Sequence, residues 1–553
     1  MANIKIPKKQ FEKEIGKIDS KMQEKISLFG TPLESITNEE IEIEIFPNRP
    51  DLLSYQGFKR EFLNFLGKSK SLKKYKLEKP QKDYVVKIDS SLKEIRPYTA
   101  CAIVKGLKLN EERIKEIINL QEKLHITIGR NRKKAAIGIY PMEKIKFPIT
   151  FTARQPDKIK FVPLESPGKR EMSGLQILQR HQTGRNYAHL LAGKEKFPIF
   201  IDANNSILSM PPIINSHLTG KITEKTRDVF IECSGFDFAT LKKCLNIIVT
   251  TLSEIGGKIY QIKLKGLLKE TTPNLDTIKT KISIERTNKL LGLKLNEKDI
   301  IKLLKKTGHE YNPKTREVKS PAWRNDILHE VDLIEDIAIA YGYENLIPQI
   351  PEVATIGKSD KKENLKKKIS EILVGLKFLE VSNHHLTTEK QQIQKANLEE
   401  QEQNKIVHIE SSKTEYSYLR KDLSHYLLKN ISENSDAEYP QKIFETGKVF
   451  ELDRTSNKII EKEKLAIAIT PGNYTQIKQI INYLFQMLDK EVILQEPRNN
   501  EKIPKYLIQE RTAEILINNQ LAGYLGEISP SFLKNWKIKS PVSLLEISLK
   551  NFE

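Results

Sequence analysis

Between residues 84 and 265 the chain carries six short β-rich runs, YVVKI, TACAIVKGL, AAIGIY, FPITF, FPIFID and DVFIEC. Two helical stretches, Glu111 to Leu124 and Phe238 to Ile255, share the same segment. Short strands mixed with two helices predict a β-rich domain of mixed content. That domain accounts for only part of the sequence. A chain of 553 residues outgrows a single hydrophobic core and divides into about three to five domains.

The flanking segments read differently. Near Lys8 to Lys17 an amphipathic helix is expected, and IEIEIF at 41 to 46 alternates like a half-buried strand. Pro47 and Pro50 force a turn, after which Asp51 is placed to cap a helix carrying Leu52, Phe58, Phe62 and Phe65. KSKSLKKYKLEKPQKD, 68 to 83, has no apolar periodicity and reads as a linker or a basic arm for RNA. From about 275, ISIERTNKLLGLKLNEKDIIKLLKKTGHEYN reads strand, helix, glycine turn, helix, followed by a β-return, EVKSPAWR. That pattern is a small helix-turn-helix or winged-helix module, with packing and nucleic-acid binding equally open as its purpose. The last segment opens on KSDKKENLKKKISEILVGLKF, an amphipathic helix. FETGKVFEL, LAIAIT, AEILINNQLAGYLGEIS and SLLEISL then predict an antiparallel sheet. Domain limits of 1–83, 84–270, 271–352 and 353–553 follow.

Two constellations carry possible chemistry. In RNDILHEVDLIEDIAIAYGY, 324 to 343, Asp332, Glu335 and Asp336 share one face of a helix by their i, i+3 and i+4 spacing, and Asp326 lies just upstream. Carboxylates gathered in this way repel unless a cation or basic side chains compensate. Oxygen-only ligands suit a hard ion such as Mg²⁺, and a solvated acidic face that complements the helix N-terminus is the alternative. RHQTGRNYAHLL, 180 to 191, contains His181 and His189 without the spacing of a zinc site or the order of a hydrolase triad. Both histidines read as structural.

Composition narrows the partners. Lys and Arg number 92 against 72 Asp and Glu, a net charge of +20. That excess favours a polyanion, nucleic acid before a membrane surface, although a lysine-heavy proteome gives the same balance. Cys101, Cys233 and Cys244 form no CxxC pair and read as free thiols of a reducing compartment. The polar, lysine-rich N-terminus and the lack of any long apolar run predict a cytoplasmic protein with no membrane partner.

Taken in order, NRPDLLSYQG (48 to 57), EIRPYTACAIVKGL (94 to 107), LQEKLHITIGRNRKKAAIGIY (120 to 140), LSMPPIINS (208 to 216), FIECSGFDF (230 to 238) and the acidic motif at 324 to 343 resemble the β subunits of phenylalanyl-tRNA synthetases, in their archaeal and eukaryotic cytosolic form. The resemblance runs over essentially the whole chain. It implies an α+β multidomain fold: an N-terminal module, a β-rich B3/B4 editing domain, a helix-turn-helix-like B5 domain, and a C-terminal domain with the class II synthetase catalytic fold but no active site. HIESSKTEYSYLRKDL (408 to 423) and PQKIFETGKVFEL (440 to 452) correspond to the core of that last domain.

The resemblance also implies function. The chain would be the β subunit of a phenylalanine–tRNA ligase, with ATP-dependent aminoacylation on an α subunit, tRNA(Phe) as substrate and an α₂β₂ heterotetramer as the assembly. No catalytic residue for aminoacylation is expected on this chain. Asp326, Asp332, Glu335 and Asp336 would hold Mg²⁺. An apolar phenylalanine pocket cannot strongly reject a substrate that merely adds a hydroxyl, so a second site would hydrolyse tyrosyl-tRNA. Phe200, Ser209, Glu232 and Ser234 are its expected lining. SGF at 234 to 236 departs from the more usual TGT-type run, and Phe236 is expected to reshape the pocket. A stand-alone RNA-binding or editing paralogue is the alternative.

Overall fold

The computed structural model describes residues 2–69, 72–499 and 503–552. The chain forms two compact units, 1–350 and 351–553. Among the described residues no helix is long and apolar enough to cross a membrane.

The first unit begins with a three-stranded antiparallel sheet in the order Ala2–Pro7, Glu40–Ile45, Leu33–Ile36. Alternation in IEIEI buries Ile41, Ile43 and Ile45 and leaves the glutamates half exposed. The helix Lys8–Glu14 follows the first strand. Asp51 does not cap the next helix. It is buried and paired with Arg49 at 2.8 Å, while Ser54 Oγ accepts the Gly57 N–H at 3.0 Å and caps Tyr55–Phe65. The proline-forced turn Pro50–Leu52 consumes the residues that spacing alone assigned to the helix.

The stretch from 68 to 83 is not a free arm, although residues 70 and 71 lie outside the described part. Leu72 is buried, Tyr75 packs edge-on against Trp323, and Leu77–Glu78 pairs with the strand Lys258–Gly266.

A large mixed sheet follows. Its order is Ile214–Asn215, Ile207–Met210, Phe197–Ile201, Ile149–Arg154, Val85–Ile88, Lys258–Gly266, Tyr98–Lys105, Val229–Gly235 and Ala135–Pro141. Strand alternation divides its inner residues between two cores. Ala100, Ala102, Ile231 and Cys233 face the helix Phe238–Glu254. Cys101, Ile103, Tyr140 and Phe230 face the opposite way, towards Val86, Phe151, Phe200 and Leu208. Polar side chains that share this second face are therefore desolvated together.

The module after residue 277 has a three-stranded sheet, Ile278–Lys281, Glu317–Ser320 and Glu310–Asn312, with helices Ile284–Leu291 and Glu297–Lys306. Gly292, at φ 67°, ends the first helix in the left-handed conformation that glycine adopts without strain. The acidic helix Glu330–Tyr341 packs Leu333, Ile334 and Ile337 into this core.

The second unit is a seven-stranded sheet, antiparallel except where Leu379–Glu380 joins Gln441–Asp453. Helices Lys361–Gly375 and Tyr474–Met487 cover one face, and Ser424–Glu433 with Pro530–Asn535 cover the other.

Candidate functional sites

A cleft of about 600 Å³ opens beside the strand Val229–Gly235. Its lining includes Ile137, Ile139, Pro212, Ile213, Asn215 and Glu232. Glu232 reaches it because it opposes Gly138 across one strand pair and Cys101 across the other, on the face shared with Tyr140 and Phe230. Its side chain is almost wholly buried, and Oε2 has no hydrogen-bond partner. Burial pushes the carboxyl up to about 8, against the opposing pulls of Arg96, Tyr140 and Ser234. Such a group is mostly neutral at pH 7 and can donate as well as accept.

Ser209 lies one layer behind the cleft, with Tyr140 Oη donating to its Oγ at 2.8 Å. Tyr140 Oη also lies 3.3 Å from Asn215 Oδ1 and 3.3 Å from Glu232 Oε1. Ser234 is tied by its hydroxyl to Arg96 Nε at 3.1 Å, and Arg96 Nη2 also donates to the Ser234 carbonyl. Phe200 does not line the cleft. It stacks on Phe151 with ring centroids 4.1 Å apart, inside the core. Phe236 is also outside the lining, half exposed, with its ring against the Arg96 guanidinium. Phe236 therefore stands beside Arg96 and outside the lining of the cleft.

The opposite wall carries Glu122, His125 and Arg132. His125 Nε2 accepts the Ile137 N–H at 2.8 Å, so the ring proton lies on Nδ1, 3.2 Å from Glu122 Oε1. Burial lowers the His125 pKa and keeps the ring neutral, with Glu122 pulling the other way. Sequence spacing missed Tyr140, Asn215 and this wall. Tyr140 could have been found by counting, because Gly138 and Tyr140 alternate onto one face.

A second cavity, of about 440 Å³, is lined by Pro47, Asn48, Asn325, Asp326, Asp332 and Glu335. Asp326 accepts from Arg324, a cation that burial works against but that Asp336 and Asp326 hold with its pKa well above the arginine norm; burial likewise works against ionisation of Asp326, but Arg324 and Arg49 hold its pKa below the aspartate norm. Asp332 Oδ2 accepts the N–H groups of Leu328 and His329 at 2.8 and 2.7 Å, which caps the helix. Glu335 points outwards, its pKa raised by partial burial and by Asp336, Asp332 and Asp326. Asp336 is set apart. It is buried, its Oδ2 held by Arg324 Nη2 at 2.8 Å and His309 Nε2 at 2.6 Å, and it does not line the cavity.

The four carboxylates therefore do not converge. Among the described residues no group of three or more His, Cys, Asp or Glu is arranged to hold a bare metal ion. Two features fit a hydrated hard cation in the outer cavity. Asn325 Oδ1 and Nδ2 are buried without partners at its wall, and the carboxylates raise the Glu335 pKa. Mg²⁺ commonly keeps several waters and takes only one or two carboxylates.

Comparison with known proteins gives these sites a context. Residues 280–343 match the family described as tRNA synthetase B5 domain, and 347–549 match the phenylalanyl tRNA synthetase beta chain CLM domain. Together with the sheet architecture, these matches define an aminoacyl-tRNA synthetase chain, a ligase. The phenylalanine–tRNA ligase beta subunit of Thermococcus sibiricus is 38% identical over 91% of this chain and 89% of its own length. That of Pyrococcus furiosus is 39% identical over 91% and 90%. That of Methanosphaera stadtmanae is 34% identical over 96% and 95%. A crystal structure of an N-terminal fragment of the Pyrococcus horikoshii subunit aligns with a TM-score of 0.58 at 37% identity, covering 61% of this chain and 99% of the fragment. The chain belongs to the phenylalanine–tRNA ligase β-subunit family.

Proposed function

We propose that this chain works with an α subunit that joins phenylalanine to tRNA(Phe) using ATP, and that its β-rich domain hydrolyses tyrosyl-tRNA(Phe) made in error. The observation that carries the editing reading is Glu232: a buried carboxyl with one unpartnered oxygen on the wall of a cleft of mixed polar and apolar lining. A phenolic hydroxyl gives that oxygen a partner. A phenylalanine side chain leaves it bare, and sites built around a hydroxyl discriminate strongly against the analogue lacking one.

Aminoacylation on another subunit is supported by the second unit, where two buried or half-buried cationic side chains are paired internally. Arg420 is buried against Glu445 at 2.6 Å, and Lys464 is paired with Glu546 at 2.5 Å. These residues serve the fold of an assembly domain, and an α₂β₂ complex is the arrangement proposed.

For Mg²⁺, we assign Asp326, Asp332, Glu335 and the side chain of Asn325 as the groups that face the ion and its waters. Asp336 acts from behind, as the counter-ion of Arg324. The ion would neutralise the outer carboxylates and link this face to a partner; no step of editing is routed through it.

The test is Glu232→Ala in the complex assembled with its α chain. Clearance of tyrosyl-tRNA should fall about tenfold, the worth of one hydrogen bond to a neutral carboxyl, while phenylalanine charging holds. Equal losses of both activities would make Glu232 a structural residue and remove the editing assignment. A chain that does not associate with an α subunit would favour the stand-alone paralogue.

A further inference from the structure

The two oxygens of Glu232 are treated differently. Oε1 lies 3.3 Å from Tyr140 Oη, whereas Oε2 is buried without a partner. Tyr140 Oη is fixed in turn by Ser209 Oγ at 2.8 Å and Asn215 Oδ1 at 3.3 Å. A phenol has one proton to give and can also accept, and an amide oxygen only accepts. The one phenolic proton is therefore shared among three acceptors, Ser209 Oγ, Asn215 Oδ1 and Glu232 Oε1, and the three contacts together fix where Oη sits beside the carboxyl. Space makes the contact obligatory. A Cβ at Gly138 would stand 2.1 Å from Tyr140 Oη and 2.7 Å from Glu232 Oε1, so only glycine lets the two groups meet.

We propose that Tyr140 is the positioning residue of this cleft: it anchors Oε1 of Glu232, turns Oε2 towards the hydroxyl of a bound tyrosyl group, and thereby sets the preference for tyrosyl-tRNA over phenylalanyl-tRNA. This rests on the editing reading and adds a residue to it. An unanchored carboxyl would rotate about its last side-chain bond and share its oxygens between the two directions, which costs orientation without removing the group.

Tyr140→Phe deletes Oη alone and tests the proposal in the assembled synthetase. The kcat/KM ratio for deacylation of tyrosyl-tRNA over phenylalanyl-tRNA should fall about tenfold, the scale of one net hydrogen bond. The change should appear mainly in KM, because the contact exists in the bound ground state as well as in the transition state. A second readout separates positioning from packing. The charged and titratable groups facing Glu232 are Arg96, Tyr140 and Cys101 from neighbouring segments, while Cys233, next to it in the strand, faces the opposite core. Of these, Tyr140 hydrogen-bonds the carboxyl and favours its ionised form, so the inflection of the editing pH profile that Glu232→Gln abolishes should move to higher pH in Tyr140→Phe. A residue that only fills the core would lower the thermal midpoint and leave both the ratio and the inflection in place, and that outcome overturns the proposal. If Tyr140→Phe does not assemble, Ser209→Ala removes the acceptor that competes with Glu232 for the Tyr140 proton and should shift both the ratio and the inflection; an unchanged ratio and inflection would overturn the proposal equally. Wild-type complex that leaves tyrosyl-tRNA intact would remove the editing reading itself, and Tyr140 with it.

Discussion

Arg324 Nη2 donates to Asp336 Oδ2 at 2.8 Å, and both side chains are closed off from solvent. The same guanidinium reaches Asp326 at 2.6 Å, and His309 shares the Asp336 oxygen. The acidic cluster thus has two halves. Its inner carboxylate balances a buried cation, and its outer carboxylates, Asp332 and Glu335, border an open cavity.

Asp336→Ala should destabilise the protein by no more than about 3–5 kcal/mol, the cost of leaving a buried charge unpaired, because Asp326 still pairs with Arg324. Added Mg²⁺ should not restore the loss, which a thermal or urea midpoint would measure. Asp332→Ala with Glu335→Ala should cost less stability and instead abolish any rise of the midpoint with Mg²⁺. An identical Mg²⁺ response in wild type and double mutant would leave the outer face a solvated surface.

The Glu232 carboxyl gives stability a pH dependence of known sign. Its pKa rises from 4.5 in the unfolded chain to about 8 in the fold, so the native state holds a proton that the unfolded state releases. The resulting stabilisation is complete below pH 4.5 and is lost as pH climbs through 8. Glu232→Gln should flatten the decline between these values. A midpoint-against-pH curve that keeps the wild-type slope in the mutant would place the titration elsewhere.

Trp323 joins distant parts of the first unit. Its Nε1 donates to Glu61 at 2.8 Å, and the Arg60 guanidinium lies 4.2 Å from its ring. Trp323→Phe should cost about 2 kcal/mol, combining a lost bond to a charged acceptor with a weaker cation–π contact. Limited proteolysis should then cut first near residues 72 to 78, because Tyr75 packs on the same ring.

Binding of tRNA to the assembled complex should weaken by orders of magnitude between about 50 and 200 mM salt if Lys and Arg contacts to phosphate drive it. A salt-insensitive affinity would detach the net charge of +20 from RNA recognition.

The local elements were legible because each follows from a short-range rule. IEIEI announces a strand by alternation, AAIGIY and FIECSG announce strands as short β-rich runs, and the two helices around Gly292 are announced by the glycine turn between them. Asp51 does not follow from a short-range rule, because Pro50–Leu52 forms its own turn, Ser54 caps the helix that follows, and Arg49 folds back onto the Asp51 carboxylate.

The sequence by itself determined the order of the elements, the family and the four acidic positions, since these rest on spacing and on motifs contiguous in the chain. Only the tertiary structure decided what the side chains do. Asp336 and Glu335 are neighbours in sequence, yet one faces Arg324 in the core and the other faces solvent. Phe200 and Glu232 were expected in one pocket, but strand pairing stacks the first on Phe151 and delivers the second to the cleft beside Tyr140. Burial, the state of a carboxyl and the choice of its partner are set by residues brought together from far along the chain, and no local pattern encodes that proximity.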